Sequence, residues 1–189
     1  MTTMARIEPE PLIVMTRSIA TPLGPIWAAA SDRAVHVVTV PGGTEDECLA
    51  SLPRRRTIEV ADSPQGSALL DELANELDGY FAGRRRGFSL PVEPLGTPFQ
   101  RSVWDAVRAI PYGETRTYAA VAATIGRPSA IRAMGAANGA NPLAIVVPCH
   151  RVIGSDGRLR GYGGGLPMKQ RLLEMERAFA ALDGRMTDP

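Results

Sequence analysis

The 189-residue chain is 44% hydrophobic with a formal net charge of +1, enough apolar content for one full domain, or a small domain beside a helical one, without disulfides or metal. Cys48 and Cys149 are too few and too far apart for a disulfide framework or a Cys-x-x-Cys type of zinc site, which points to a reducing cytosol. No run approaches the ~20 apolar residues of a membrane span, Met1 to Glu10 lacks a signal-peptide core, and the near-neutral charge gives no global pull towards nucleic acid, so a soluble cytoplasmic protein is expected.

Residues 1–92 read as an α/β domain. Leu12 to Ala20, Ile26 to Ala30 and Ala34 to Val40 are rich in aliphatic and β-branched residues, and Thr21-Pro22-Leu23-Gly24-Pro25 separates the first pair, so an antiparallel meander is predicted. Pro41 to Pro64 is polar and proline-containing; Glu45 to Leu52 fits one or two helical turns and the remainder a surface loop. Leu69, Leu70, Leu73, Leu77 and Phe81 recur at helical intervals, predicting a helix over Gln65 to Phe81 that covers the sheet. Phe88 to Val92 reads as a last strand and Glu93-Pro94-Leu95-Gly96 as a boundary. The triplets Arg54 to Arg56 and Arg84 to Arg86 read as solvated loops.

Residues 93–189 read as a mainly helical domain. Thr97 caps and Pro98 starts a helix whose apolar stripe is Phe99, Val103, Val107 and Ile110, with Trp104 beside it. A second helix, capped by Thr117, runs from Tyr118 to Ile125; Gly126-Arg127-Pro128 turns the chain, and Ser129 caps a third helix reaching about Asn138. Two short helices around a tight glycine turn suggest a helix-turn-helix. The second of them is slim, with Ala130, Ile131, Ala133, Met134, Gly135, Ala136 and Ala137 around one cation, Arg132, and lacks base-edge readers until Asn138. It suits close approach to a groove, and equally a packing helix. A last helix is predicted over Met168 to Ala180, and the tail from Asp183 is expected to fray.

The chemistry concentrates where the apolar run Leu143 to Val147, read as a buried strand, stops at Pro148 and gives way to Cys149, His150 and Arg151. A thiol of ordinary acidity needs a base or cation to supply the nucleophilic thiolate at neutral pH, and His150 and Arg151 offer both. Adjacent side chains of a regular strand point to opposite faces, so Cys149 and His150 cooperate only if the backbone departs from strand geometry at Pro148 or a water links them. Asp156, Glu174 and Glu176 are the candidate carboxylates to orient the imidazole. The glycine-rich stretch Gly161-Tyr162-Gly163-Gly164-Gly165 either brings backbone N–H groups to a flat polar ligand or is simply a flexible loop.

Asn141-Pro142, the aliphatic run, Pro148-Cys149-His150-Arg151-Val152-Ile153 and the Gly161 to Gly165 loop together resemble the O6-alkylguanine-DNA alkyltransferases. The match extends upstream through Phe99, Trp104, Ile110-Pro111-Tyr112-Gly113-Glu114, Tyr118 and Arg132-Ala133-Met134-Gly135, covering about residues 95–178, while the first ninety residues resemble the family's ribonuclease H-like N-terminal domain only loosely. The resemblance implies a self-inactivating repair protein that moves an alkyl group from O6 of guanine, and O4 of thymine, onto its own cysteine. Cys149 matches the acceptor, His150 the base acting through a water, Glu176 the carboxylate orienting it, Asn141 a supporting residue and Tyr118 the donor to the guanine ring. Arg132 matches the finger that fills the stack after nucleotide flipping, and Ser129, Ala130, Gly135 and Arg151 fall at DNA-contacting positions. Pro148, Val152, Tyr162 and Gly163 match the substrate pocket.

The implied partner is double-stranded DNA carrying O6-alkylguanine, bound by a monomer through the minor groove, with cooperative binding along the strand left open; no cofactor, metal or membrane is implied. Some relatives have serine at the position of Gly163, and some bind zinc through N-terminal cysteines that are absent here. The cysteine-rich domain of transcription-regulating members is absent too. Three rivals are set against it: a lesion-binding protein without transfer, in which the acceptor cysteine is replaced; a cysteine hydrolase that turns over repeatedly and has no use for Arg132; and a purely structural helical adaptor, which leaves the set Asn141, Cys149, His150 and Glu176 a coincidence.

Overall fold

The structure, a computed structural model, describes residues 10–53 and 57–186; the Arg54 to Arg56 triplet and Met1 to Pro9 lie outside the described residues. A four-stranded sheet in the order β3-β2-β1-β4 organises the first half. β1 (Leu12–Ile19) pairs antiparallel with β2 (Ile26–Ala30), Met15 opposite Ala30 and Ile19 opposite Ile26, and β2 pairs antiparallel with β3 (Val35–Val38). The meander is therefore as expected, but the sheet is mixed. β4 (Ile58–Val60), inside the stretch expected to be loop, runs parallel to β1, with Leu12 opposite Ile58. Three residues with a half-exposed pattern carry too little periodicity to stand out from a polar loop.

Period-two alternation sorts the strands between two helices. Ile26, Ala28 and Ala30 face α2 (Pro64–Phe81), which buries Leu70, Leu73, Leu77, Tyr80 and Phe81. Val14, Ala29 and Val37 face α1 (Glu45–Ala50) with Cys48 and Leu52. The three consecutive alanines keep both helices close to the strand. α1 starts at Thr44 in a reciprocal capping box with Glu47, and α2 starts at Ser63, whose hydroxyl accepts from Gly66 N.

Phe88 to Val92 does not form a strand; only Val35 and Val92 bridge, with Val35 N donating to Pro91 O and Glu93 N to Val35 O. The Arg84 to Arg86 triplet is only partly solvated. Arg85 is paired with Glu76 and Ser89, and Arg86 lies over the Tyr112 ring at 4.6 Å, while Arg84 meets Asp78 on the exposed surface.

The second half packs α3 (Pro98–Arg108), α4 (Tyr118–Thr124), α5 (Ile131–Gly139) and α6 (Gly165–Met186). Thr97 and Gln100 form a capping box on α3, and the Thr117 hydroxyl accepts from Ala120 N at the start of α4. Ser129 is not the cap of α5; it lies in the preceding turn, where Ala130 N donates to Arg127 O, and the Ala130 N-cap has no side-chain hydrogen bond. α6 continues to Met186, beyond the expected fraying point. A two-residue parallel pair, β5 (Arg116–Thr117) with β6 (Val152–Ile153), ties the start of α4 to the chain just after Cys149.

The run Leu143 to Val147 is buried as expected but is not a strand. Val38 N donates to Pro142 O and Ala144 N to Val38 O, so its first residues extend the edge of β3. Ile145 then turns the chain at φ 70°, and Val147 N returns to Leu143 O. Prolines at 142 and 148 and the Asn141 side chain, which takes the Leu143 N–H and donates to Val147 O at 2.8 Å, favour this tight turn over a ladder. One hydrophobic cluster is continuous across both halves, from Ile26 and Tyr80 to Trp104, Ile145 and Leu172.

Gly83, at φ +69° after α2, lies against α6, and a Cβ there would sit 2.4 Å from Phe179 Cδ1. Gly83→Ala combines left-handed strain with overpacking, so a loss of about 2–3 kcal/mol is expected, seen as a Tm roughly 5–10 °C lower in a thermal melt.

Candidate active site and nucleic-acid interface

Pro148 leads into a single 3-10 turn, Cys149–Arg151, in which all three side chains are buried. The turn resolves the strand objection, because consecutive residues in it no longer alternate between two faces. Cys149 N donates to Val147 O, and Asn138 Nδ2 reaches Cys149 O at 3.4 Å. Burial raises the Cys149 thiol pKa; the Asn141 amide, the Lys169 ammonium and nearby backbone N–H groups offset this only in part. The resting group is thus a thiol that needs a base.

Of the three candidate carboxylates, Glu176 is the one at His150. Its Oε1 lies 2.8 Å from His150 Nε2, and both residues are 0% exposed. Asp156 instead pairs with Arg160 on the surface, and Glu174 accepts from Gln170. Glu176 also accepts from Arg151 Nε and Nη2, both at 2.9 Å, from Gly113 N at 3.1 Å and from Tyr80 OH at 2.7 Å. Burial opposes its charge, but His150 and Arg151 prevail and hold the carboxyl at about 2. An ionised carboxylate only accepts, so Nε2 carries the imidazole proton and Nδ1 presents a lone pair. Burial lowers the His150 pKa despite Glu176, and Nδ1 has no hydrogen-bond partner. The dyad is a neutral imidazole with its basic nitrogen open.

Arg151 does not sit at a DNA-facing position. Its guanidinium is buried, grips Glu176 through two nitrogens and donates to Ile110 O from the third at 2.6 Å. The fork geometry that suits phosphate suits a carboxylate equally well. Asn138, noted in the sequence as a base-edge reader, is also turned inward, 4% exposed.

Tyr118, half-buried at the start of α4, faces this cluster, and burial followed by the nearby Cys149 raises its pKa, so it keeps its proton at neutral pH. Gly135 on α5 lies beside its ring, where a Cβ would make an ordinary van der Waals contact at 3.8 Å. Arg132 and Ser129 are exposed and Ala130 half-buried on the same helix and its approach. Tyr162 lies edge-on to the His150 ring at 6.4 Å with its hydroxyl buried, and Gly163 is exposed. A cavity of about 310 Å³ is lined by Asn141, Ala144 and Gly163 together with Val38 and Val40.

Sequence reasoning missed Tyr80 and Lys169, and it named Gly113 only within the matched series, without its contact to Glu176. Lys169 is fully buried, donates to Val152 O at 2.6 Å and Arg160 O at 2.7 Å, and burial pushes its pKa down to about 8. A compositional signal existed: it is the single lysine among 21 Lys and Arg residues, and lysine differs from arginine in being titratable when buried. Likewise all four tyrosines of the chain surround Cys149, His150 and Glu176. Cys48, by contrast, is buried on the sheet-facing side of α1 with its pKa pushed up to about 12, an inert packing group. Among the described residues no group of three or more His, Cys, Asp or Glu is placed to hold a metal ion, and no helix is long and apolar enough to cross a membrane.

Comparison with known proteins gives matches across both halves. Residues 14–94 match the family model of the 6-O-methylguanine DNA methyltransferase ribonuclease-like domain, and residues 98–178 that of the same family's DNA binding domain. The methylated-DNA–protein-cysteine methyltransferase of Methanosarcina barkeri is 45% identical over 159 residues, spanning 84% of this chain and 94% of its own. The protein of that name from Mycobacterium tuberculosis is 41% identical over 172 residues, spanning 91% and 98%. The crystal structure of the M. tuberculosis O6-methylguanine methyltransferase superposes with a TM-score of 0.72 at 40% identity, covering 93% of this chain and 99% of that one. A second crystal structure of the M. tuberculosis protein, in complex with DNA, superposes with a TM-score of 0.70 over 88% and 94%. With both domain models matched in order and relatives covered almost end to end, this chain belongs to the 6-O-methylguanine DNA methyltransferase family.

Proposed function

We propose that this protein repairs DNA by moving an alkyl group from O6 of guanine, and from O4 of thymine, onto Cys149, one lesion per molecule. The observation that carries the reading is the buried His150–Glu176 pair next to a buried thiol, with the imidazole neutral and its Nδ1 lone pair open. His150 takes the Cys149 proton through a water; the sulfur forms a bond to the alkyl carbon as the carbon–oxygen bond breaks, and the oxygen keeps the electron pair. Tyr118, held protonated, donates to the guanine ring so that the leaving group is not a bare anion. The thioether product is not reversed by thiol exchange, so the protein is consumed.

Residues 93–189 act as the DNA-binding and transfer domain and residues 1–92 as a supporting α/β domain. The DNA complex of the M. tuberculosis relative supports double-stranded DNA as the partner. A base in a duplex hides O6, so the nucleotide has to leave the stack at a cost of a few kcal/mol. Arg132, the exposed cation on a helix of small residues, fills the gap, while Ser129, Ala130 and Gly135 allow the minor groove to approach. In the pocket the carbonyls of Cys149 and Val152 accept from the guanine amino group, the Gly163 N–H reaches the oxygen, and Pro148 and Tyr162 supply walls. The protein works as a monomer in the cytoplasm, where the nucleoid and a reducing pool are at hand.

Mixed with duplex containing O6-methylguanine, the protein is expected to gain one methyl group by intact mass, mapped to Cys149, and Cys149→Ser to gain none. Repeated turnover would point to the hydrolase, and tight binding without modification to a lesion binder. Arg132→Ala is expected to slow repair in duplex by about tenfold or more, equivalent to about 1.4 kcal/mol, while reaction with free benzylated guanine stays within about twofold. Single-turnover rates on the two substrates decide it, and equal loss on both would remove the finger role.

A further inference from the structure

One group in the first half of the chain reaches the reactive cluster. Tyr80, in the last turn of α2 and fully buried, places its hydroxyl 2.7 Å from Glu176 Oε1, across 96 residues of sequence. Its ring is held by Phe81 at 5.2 Å, Phe88 at 5.7 Å and Tyr112 at 5.8 Å, so the hydroxyl has little freedom to leave.

Oε1 accepts from three donors, Tyr80 OH, His150 Nε2 and Arg151 Nη2, and Oε2 from Arg151 Nε and Gly113 N. Five donors exceed the about four lone-pair sites of a carboxylate. They share its electron density, and each one weakens the hold of the others. A carboxylate with more donors is less basic, and a less basic partner at Nε2 lowers the affinity of the ring for a second proton.

We propose that Tyr80 is a positioning residue for the transfer: its hydroxyl holds Oε1 of Glu176 and limits the pull of the carboxylate on His150, so that Nδ1 stays open to receive the thiol proton. The assignment rests on the alkyl-transfer reading for its purpose, but its effect on His150 exists without substrate. Tyr80 itself remains protonated, because burial and then Glu176 push its pKa upwards. The other titratable or charged groups facing the dyad are Arg151 and Cys149 on the 3-10 turn, Lys169 on α6, Tyr162 on the glycine loop, and Tyr112 with Arg86 over its ring. Tyr80→Phe leaves all of these groups in place and deletes only the hydroxyl donor to Oε1.

The test is Tyr80→Phe, which keeps the ring contacts. The rate of single-turnover transfer from free benzylated guanine is followed against pH, and 15N NMR follows the two histidines of the chain. The neutral imidazole is the active form, so the rate falls as pH drops through the His150 pKa. In Tyr80→Phe that acid limb and the His150 titration are expected to move upwards by roughly half a unit to one unit, with modification of Cys149 still one-to-one. The 15N chemical shifts of His36, held between Ser31 Oγ and Glu93 O, report an intact fold. An unmoved acid limb and an unmoved His150 titration overturn the proposal, and a lowered plateau without those shifts assigns Tyr80 to packing. Should Tyr80→Phe not fold, 3-fluorotyrosine placed at position 80, a stronger donor, is expected to move both downwards, and no movement overturns the proposal. The NMR titration needs no alkyl substrate, so failure of the transfer reading and failure of this one are separate results.

Discussion

The buried carboxylate of Glu176 gathers the site. It draws α2 through Tyr80, the connection after α3 through Gly113, and the 3-10 turn through His150 and Arg151, all onto one position of α6. Burying a charge costs several kcal/mol unless partners satisfy it, and removing one partner of such a group costs about 3–5 kcal/mol. The arrangement therefore contributes little net stability over a well-packed apolar core. What it adds is registry: the carboxylate is satisfied only when four separate segments are in place, so the geometry around Cys149 and the folding of both halves are completed together.

A second constraint acts on the thiol from the other side. Ile145, a buried β-branched residue at φ 70°, stores local strain of about 1–3 kcal/mol just upstream of Cys149. The Asn141 side chain stitches that turn closed, and the edge of β3 receives Pro142 and Ala144. The N-terminal sheet thus serves the site through two contacts, its edge at Val38 and its covering helix at Tyr80. It buttresses the reactive loop by taking the backbone groups of Pro142 and Ala144 at its edge.

The electrostatic consequence is a thiol held protonated at rest. Burial raises the Cys149 pKa, burial lowers those of His150 and Lys169, and the one strongly acidic group, Glu176, is turned towards the imidazole. A thiol in this environment resists adventitious oxidation, which requires an exposed thiolate. For the single-use acceptor we propose Cys149 to be, a reaction with the wrong partner is as final as one with the right one. Low resting reactivity with a base in reserve suits that use.

Much of this was legible in the sequence because it is local. The amphipathic spacing of Leu70, Leu73, Leu77 and Phe81, the Thr97-Pro98 start, the Thr117 cap and the Pro148-Cys149-His150-Arg151 series each report on a few neighbouring residues. The same locality explains the misses. β4 is a strand only because β1 offers it an edge, Leu143 to Val147 turns instead of extending because Asn141 and β3 take its backbone groups, and Arg151 faces inward because Glu176, 25 residues on, neutralises it. Residue identities and short-range periodicity determined which groups were available for chemistry and which segments were helical. Which carboxylate met His150, which arginine was spent on the interior and which tyrosine reached across from the first half were decided by tertiary packing, because a buried charge selects its partners by proximity in space, and one-dimensional order does not encode that distance.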